Sequence, residues 1–510
     1  MKIRNGAALL CALTMTTGTF AAEPAATASV TVDMKAGLGP IRLMNAVNNG
    51  PAFAPVLGDQ KRGNFEEYRA ARIPFARTHD SINCVSGGAH CCDVTAVFPN
   101  FDADENEPGN YDFVFTDHYL DCIIRAGTKV FYRLGQTIEH GPKKYGVLPP
   151  KDFAKWARIC EHIIRHYNEG WAWGLDTAPT TKNVAWSNQF DIAYWEIWNE
   201  PDLDGFEDAS QNLSPRNWGG SVTNFLEFYE TAAKHLKSRF PNLKIGGPAL
   251  CCNEDFAERM IRWCREREVP LDFFSFHCYS RTPGVLAEKS ERMRKLLDRY
   301  GFTKTETILN EWNYVKGWRD DWVYSLRAES GDLNLKGATY IAGAMVACQC
   351  SPLDMLMFYD AKANCTMNNL FDKTTLWPMK GYYPYLAWAK LVDLGTQVGC
   401  RIAEGLAADT GAVTGFVEKQ DSAVPGGFSA VAAKSRDGRH GALFIVRYSD
   451  DDNSSEIGQV AVRVPGCSLE GARCLVTDAI RSHTEVPLLR APDGAVLIKM
   501  MPLSFALVEW

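Results

Sequence analysis

The sequence contains no Cys-x-x-Cys pair, no long run of Lys and Arg, and no Gly-x-Gly-x-x-Gly after a strand-like segment. Each absence removes a class of function. Without paired Cys-x-x-Cys ligands a structural zinc site has no anchor, and the histidines lack metal-ligand spacing. No metal and no cofactor is therefore expected. A net charge of −7 without a basic patch argues against a nucleic-acid partner. The missing glycine fingerprint weakens a doubly wound, dinucleotide-binding sheet. No segment beyond the N-terminus is long and uncharged enough to span a membrane, and there is no internal repeat or low-complexity stretch.

What is present is an ordinary globular composition, 46% hydrophobic and 23% charged, over 510 residues. That length exceeds one ordinary core, so a large barrel with a smaller domain is expected. Met-Lys-Ile-Arg followed by an apolar run and Thr19-Phe20-Ala21 reads as a signal peptide over residues 1–22, which predicts a secreted or periplasmic protein. Of the sixteen cysteines Cys11 leaves with the leader, and the remaining fifteen of an exported chain should form some disulfides, with Cys84 to Cys91 or Cys92 the nearest pairing; buried free thiols such as Cys160 and Cys348 are the alternative.

From about Gly39 the chain alternates short apolar runs with amphipathic stretches. Strand-like runs fall at 41–46, 73–77, 129–134, from Tyr194, and at 243–247, 272–279, 306–311 and 353–359. Between them, Phe153, Trp156, Cys160, Ile163 and Tyr167 form one helical stripe behind Pro150, a residue suited to a helix start. Eight such units predict an α/β fold, a (β/α)8 TIM barrel over residues 38–395. After about residue 396 the helical period disappears and short strands follow to 510, predicting an accessory β-sandwich domain that also takes in the alternating strand at 28–34.

Barrel enzymes collect their working groups at the C-terminal strand ends. Here those are Asn45 and Asn48, Arg77 and His79, Gln136, Asn199 and Glu200, His277 and Tyr279, Glu311, and Asp360. Two ends are alike: Trp198-Asn199-Glu200-Pro201 and Asn310-Glu311-Trp312 each carry a glutamate after an asparagine at the close of an apolar strand. Two carboxylates facing one pocket suffice to break a glycosidic bond, one as acid and one as nucleophile, about 5 Å apart if configuration is retained. Rim tryptophans, among them Trp198, Trp312, Trp318 and Trp322, would offer planes to sugar C–H faces. If side chains alternate to the strand end, Trp198 shares a face with Glu200, Glu196 and Tyr194. Glu196, lower on that strand, is better explained by a buried pair with an arginine than by catalysis.

The segment from Tyr194 to Leu203, together with Asn310-Glu311-Trp312 and the run from Asp272 to Tyr279, resembles glycoside hydrolase family 39. That is a retaining family of (β/α)8 barrels whose activities include β-xylosidase and α-L-iduronidase. The resemblance covers most of residues 30–510 in order and spacing. It implies a carbohydrate substrate, Glu200 as acid/base, Glu311 as nucleophile, and Asn199 against the sugar 2-hydroxyl. It further implies His277 and Tyr279 as sugar contacts, with His79 a weaker match; Trp312 and Asp360 are added as substrate-binding residues from their place at the rim. The segment 359–364 and the cysteine-rich second loop depart from the family pattern, which leaves the sugar open. A secreted, exo-acting, β-xylosidase-like enzyme is the leading expectation. An arabinofuranosidase or endo-glycanase of the same clan, and a non-catalytic glycan-binding barrel, are the alternatives.

Overall fold

In the computed structural model, the described residues are 28–52, 63–81, 90–136, 146–172, 190–316, 331–362, 368–404, 408–409 and 426–510. The predicted leader, Cys84, Trp318 and Trp322 lie outside them. So does any pairing of Cys91 or Cys92 with Cys84.

The first strand, β1 (Ala28–Pro40), lies outside the barrel. Eight parallel strands then close on themselves in chain order: β2 (Leu43–Asn48), β3 (Phe75–Arg77), β4 (Lys129–Leu134), β5 (Tyr194–Ile197), β6 (Lys244–Leu250), β7 (Phe273–Ser280), β8 (Glu306–Tyr314) and β9 (Met355–Phe358). Helices α1 (Phe65–Ala70), α2 (Val94–Val97), α3 (Val114–Arg125), α4 (Phe153–Glu169), α5 (Val222–Arg239), α6 (Glu254–Glu266), α7 (Pro283–Arg299), α8 (Gly331–Gln349) and α9 (Tyr383–Leu394) intervene or follow. The α4 helix shows why such stretches fold locally. Its N-cap Asp152 accepts from the Lys155 amide, and Gly170 closes it in the left-handed conformation.

The remaining strands form one antiparallel-rich sheet: β10 (Thr396–Glu404), β11 (Ala408–Asp409), β12 (Gly426–Lys434), β13 (Gly441–Ser449), β14 (Gly458–Arg463), β15 (Arg473–Thr477), β16 (Thr484–Val486), β17 (Leu489–Arg490), β18 (Val496–Met500) and β19 (Ser504–Glu509). With β1 they make eleven strands in the order β16-β15-β19-β13-β12-β10-β1-β14-β18-β17, β11 pairing with β10 off this path. β1 sits in the middle, antiparallel to β10 and parallel to β14. Its inward set Ala28, Val30 and Val32 joins Val398, Ile402, Ile445, Val462 and Val508 in a single core, so the sheet curls around its own apolar face.

Within the barrel, side chains stack in layers. The lowest is apolar: Ala46, Phe131, Tyr194, Phe273, Ile308, Met355 and Met357. Two residues further along β5, β7 and β8 lie Glu196, Ser275 and Asn310, all buried and mutually bonded. The layer above carries the polar strand ends. A greasy floor and a hydrogen-bonded polar middle therefore fix the height at which charged groups meet solvent.

Candidate active site

Arg77, at the end of β3, is the hub of the polar interior. Its Nε donates to Glu196 Oε2 at 2.7 Å, Nη1 to Glu311 Oε1 at 2.7 Å and to Asn48 Oδ1 at 3.1 Å, and Nη2 to Asn199 Oδ1 at 2.6 Å. One guanidinium thus joins the ends of β2, β3, β5 and β8. It is fully buried; burial opposes its charge, but the Glu196 and Glu311 carboxylates outweigh burial and raise its pKa. Glu196 is completed by Ser275 Oγ and Asn310 Nδ2, each donating at 2.6 Å to Oε1. The expected Glu196–Arg pair is present, and with these bonds it meets the condition under which a buried ion pair is tolerable.

Glu200 does not arrive by simple alternation. Trp198 and Glu200 have φ of 72° and 49°, two left-handed residues in succession around Asn199. The first turns the Trp198 ring out of the barrel, where it packs on Trp156 of α4 and Trp218 and donates through Nε1 to Asn217 O at 3.1 Å. The expectation that Trp198 shares a face with Glu200 is therefore corrected: the strand has ended at Ile197 and the 2-residue period with it. Left-handed backbone at non-glycine residues costs on the order of 1 kcal/mol each and gathers at functional sites. Two anchors hold it. The Glu200 amide donates to Ala249 O at 3.0 Å, and Asp202 accepts the amides of Cys251, Cys252 and Asn253 at 2.8, 2.8 and 2.9 Å.

On β8 a bulge does the aiming. Phe276 faces Leu309 while His277 faces Glu311, so β8 carries one extra residue there. Asn310 reaches inward to Glu196, and Glu311, its neighbour, also turns inward. Trp312 then points outward into the layer between barrel and α8, fully buried against Phe358 and Tyr340. Trp312 is a wall residue; its assignment to substrate binding is corrected, because the bulge gives the pocket to Glu311.

The carboxylates of Glu200 and Glu311 each present an oxygen within 4.8 Å of the other and of a His277 ring nitrogen. His277 Nδ1 is 2.6 Å from Glu200 Oε1, while Nε2 lies 3.5 Å from Glu311 Oε1. Tyr279, on the same face of β7 as predicted, donates to Glu311 Oε2 at 2.9 Å. His79 Nε2 lies 2.9 Å from Glu311 Oε1, an ion-pair separation off the line of a hydrogen bond, and its Nδ1 contacts Asp80. Burial would lower the His79 pKa, but the Asp80 and Glu311 carboxylates raise it to about 9. For Glu311, burial would raise the pKa; His277, His79 and Arg77 outweigh it and hold the carboxyl well below the usual range. The two glutamates thus differ: Glu311 sits in a cationic cradle, whereas Glu200 is met by the His277 imidazole.

Glu200, His277 and Glu311 are also close enough to hold a cation. The Arg77 guanidinium and a protonated His79 already neutralise Glu311, which opposes a second positive charge there. Asn199 Nδ2 and His277 Nε2 are buried polar atoms without a protein hydrogen-bond partner. Asp360, after β9, is grouped with the His79–Asp80 side of the site. It is fully buried, its Oδ2 is 3.8 Å from Lys362 Nζ, and burial raises its pKa to about 7. Asp80 is bound by Tyr359 Oη at 2.8 Å and carries Lys362 Nζ on its carbonyl at 2.7 Å. Asp80, Asp202, Tyr359 and Lys362 escaped the sequence reading. An Asp two residues past the motif glutamate, where Asp202 sits, was the one available signal.

Comparison with known proteins agrees with this geometry. The profile of Glycosyl hydrolases family 39 matches residues 51–318. A β-xylosidase of Geobacillus stearothermophilus is 27% identical over 206 residues, 38% of this chain and 36% of the relative. One of Caldicellulosiruptor saccharolyticus is 26% identical over 184 residues, 34% of this chain and 33% of the relative. The chain thus aligns with about a third of these curated relatives. Among solved structures, a glucosidase from Croceicoccus marinus superposes with a TM-score of 0.68 at 19% identity, covering 95% of this chain and 98% of that one. A GH39 β-xylosidase from Caulobacter crescentus gives 0.59 at 15% identity, covering 94% and 99%. These structures share the architecture of a barrel with a second domain; the profile match, over more than half the chain and both glutamate motifs, places the protein in glycosyl hydrolase family 39.

Proposed function

We propose that the protein is a retaining exo-glycosidase, acting on β-xylosides, with Glu200 as acid/base and Glu311 as nucleophile. The observation that carries it is the unequal pair: two carboxylates within 4.8 Å, one of them held ionised by Arg77 and His79. Two carboxyl groups about 5 Å apart leave no room for water between sugar and base, which favours double displacement. Ionised Glu311 attacks the anomeric carbon while Glu200 protonates the leaving oxygen. The resulting ester has lost the Glu311 charge. Glu200, now ionised, takes a proton from water as the ester is hydrolysed. Tyr279 orients the nucleophile through Oε2, and the unpaired Asn199 Nδ2 is available to a sugar hydroxyl beside it. The xyloside preference rests on the two curated relatives, and export rests on the apolar N-terminus with its small-residue cleavage site.

The test is a panel of nitrophenyl β-xylosides, α-arabinosides, β-galactosides and uronides, with the first-formed anomer followed by NMR. Xyloside should be turned over fastest, with its configuration kept. Inversion would remove the nucleophile role, and preference for another sugar would replace the substrate while leaving the carboxylate roles in place.

A further inference from the structure

The vicinal cysteines at the end of β6 have no part in the mechanism above, yet they stand against it. Cys251 is half-buried and Cys252 is exposed. They precede Asn253, the N-cap of α6, whose side chain accepts the Phe256 amide at 3.0 Å. The two thiols are on adjacent residues, and the Lys289 ammonium donates to Cys251 O at 3.2 Å. A helix N-terminus and a nearby cation both favour thiolate. Interaction with the neighbouring Cys251 thiol, against the opposing effect of partial burial, brings the Cys252 thiol down to about 7, while Cys251 is pushed up.

The backbone of this pair is part of the acid/base anchorage. The amides of Cys251 and Cys252 are two of the three that Asp202 accepts, and Ala249, two residues earlier, accepts the Glu200 amide. Neighbouring Cα atoms across a trans peptide are about 3.8 Å apart, shorter than the roughly 4.4–6.8 Å that disulfides usually span. Joining these sulfurs must therefore twist the peptide between the two residues, and the amide of Cys252 turns with it. Strain of this kind also makes such a bond easy to reduce.

We propose that Cys251 and Cys252 are a reversible thiol–disulfide site, and that closing the vicinal bond lowers turnover by loosening the Asp202 anchorage of Glu200. The co-reactant is a small-molecule disulfide. The Cys252 thiolate attacks one of its sulfurs, forming a mixed disulfide and expelling one thiolate. Cys251, its proton passing to solvent, attacks the Cys252 sulfur and expels the second. The protein loses two hydrogens and the reagent gains them as two thiols.

The effect on turnover rests on the glycosidase reading, whereas the modification does not. The full-length chain is treated with oxidised glutathione, then assayed on a nitrophenyl glycoside and digested for mass spectrometry. The peptide holding both cysteines should lose two hydrogens, and kcat/KM should fall roughly 10- to 100-fold, the scale of a displaced catalytic group. Dithiothreitol should restore both. Cys252→Ser, which keeps the backbone amide, should respond to oxidised glutathione no more than to buffer; Cys251→Ser should hold glutathione on Cys252 without cyclising. A wild-type chain that keeps glutathione on Cys252 overturns the site. A cyclised peptide with unchanged kcat/KM overturns the switch, as does a Cys252→Ser variant that remains as sensitive as the parent. If the reduced protein turns over no glycoside, the functional reading fails, and the mass of the peptide alone decides the modification.

Discussion

Replacing Arg77 is the most direct perturbation of the site, because its consequences for stability and for chemistry can be worked out separately. Arg77→Lys keeps the charge but offers three donors where four acceptors on Glu196, Glu311, Asn48 and Asn199 are now served. At least one buried acceptor is left unpaired, a loss of about 1.5–3 kcal/mol when the bond is to or from a charged group. Arg77→Met also removes the charge and strands two buried carboxylates, which costs about 3–5 kcal/mol. Chemically, the carboxyl of Glu311 is kept low against burial by His277, His79 and Arg77. Without the guanidinium it should protonate at higher pH, and the acid limb of kcat/KM should move upward. In Lys the limb should move little while kcat/KM drops on the scale of a misplaced nucleophile, roughly 10- to 100-fold. Urea unfolding gives the stability terms and a pH–rate profile gives the rest. An Arg77→Met protein with full stability and an unmoved acid limb would refute the hub role.

Four further outcomes are expected. Glu311→Ala should lose turnover on every glycoside, with azide restoring it to a product of inverted configuration. Glu200→Ala should give a burst on good leaving groups and an azide product of retained configuration; the reverse stereochemistry would swap the two roles. His79 has a folded-state pKa raised to about 9, from burial opposed by Asp80 and Glu311, so its contribution is whole below its ordinary value near 6.5 and fades as pH rises through 9. Unfolding free energy should fall by on the order of 3 kcal/mol across that window relative to His79→Gln, and parallel pH curves for the two proteins would show that His79 is not charged in the site. Trp312→Ala should destabilise by about 3–5 kcal/mol as a wall cavity, with KM for glycosides unchanged in the folded fraction; a large rise in KM at intact stability would return the ring to the sugar.

The sequence by itself determined much of the scaffold and which two glutamates are proposed as the catalytic pair. Hydrophobic periodicity switches from strand to helix eight times and then to strand alone, and that switch is local chemistry that survives in a one-dimensional reading. The alternation on β7 carries His277 and Tyr279 to one face because that strand is regular from Phe273 to Ser280. A buried partner for Glu196 was legible for a similar reason, since a carboxylate in mid-strand has few other resolutions.

Tertiary structure decided what happens where the period fails. The left-handed turns at Trp198 and Glu200 and the bulge beside Asn310 each shift a side chain by one face, and no propensity in the local sequence marks them. They persist because distant groups hold them: Ala249 for the Glu200 amide, Asp202 for the neighbouring loop, Glu196 for Asn310. The same closure makes Arg77 touch groups from β2, β5 and β8 at once, since a barrel of eight strands brings residues far apart in the chain into one narrow cross-section. The glutamates can be read from the sequence; the unequal fields around them depend on which strand ends converge, and only the closed barrel sets that.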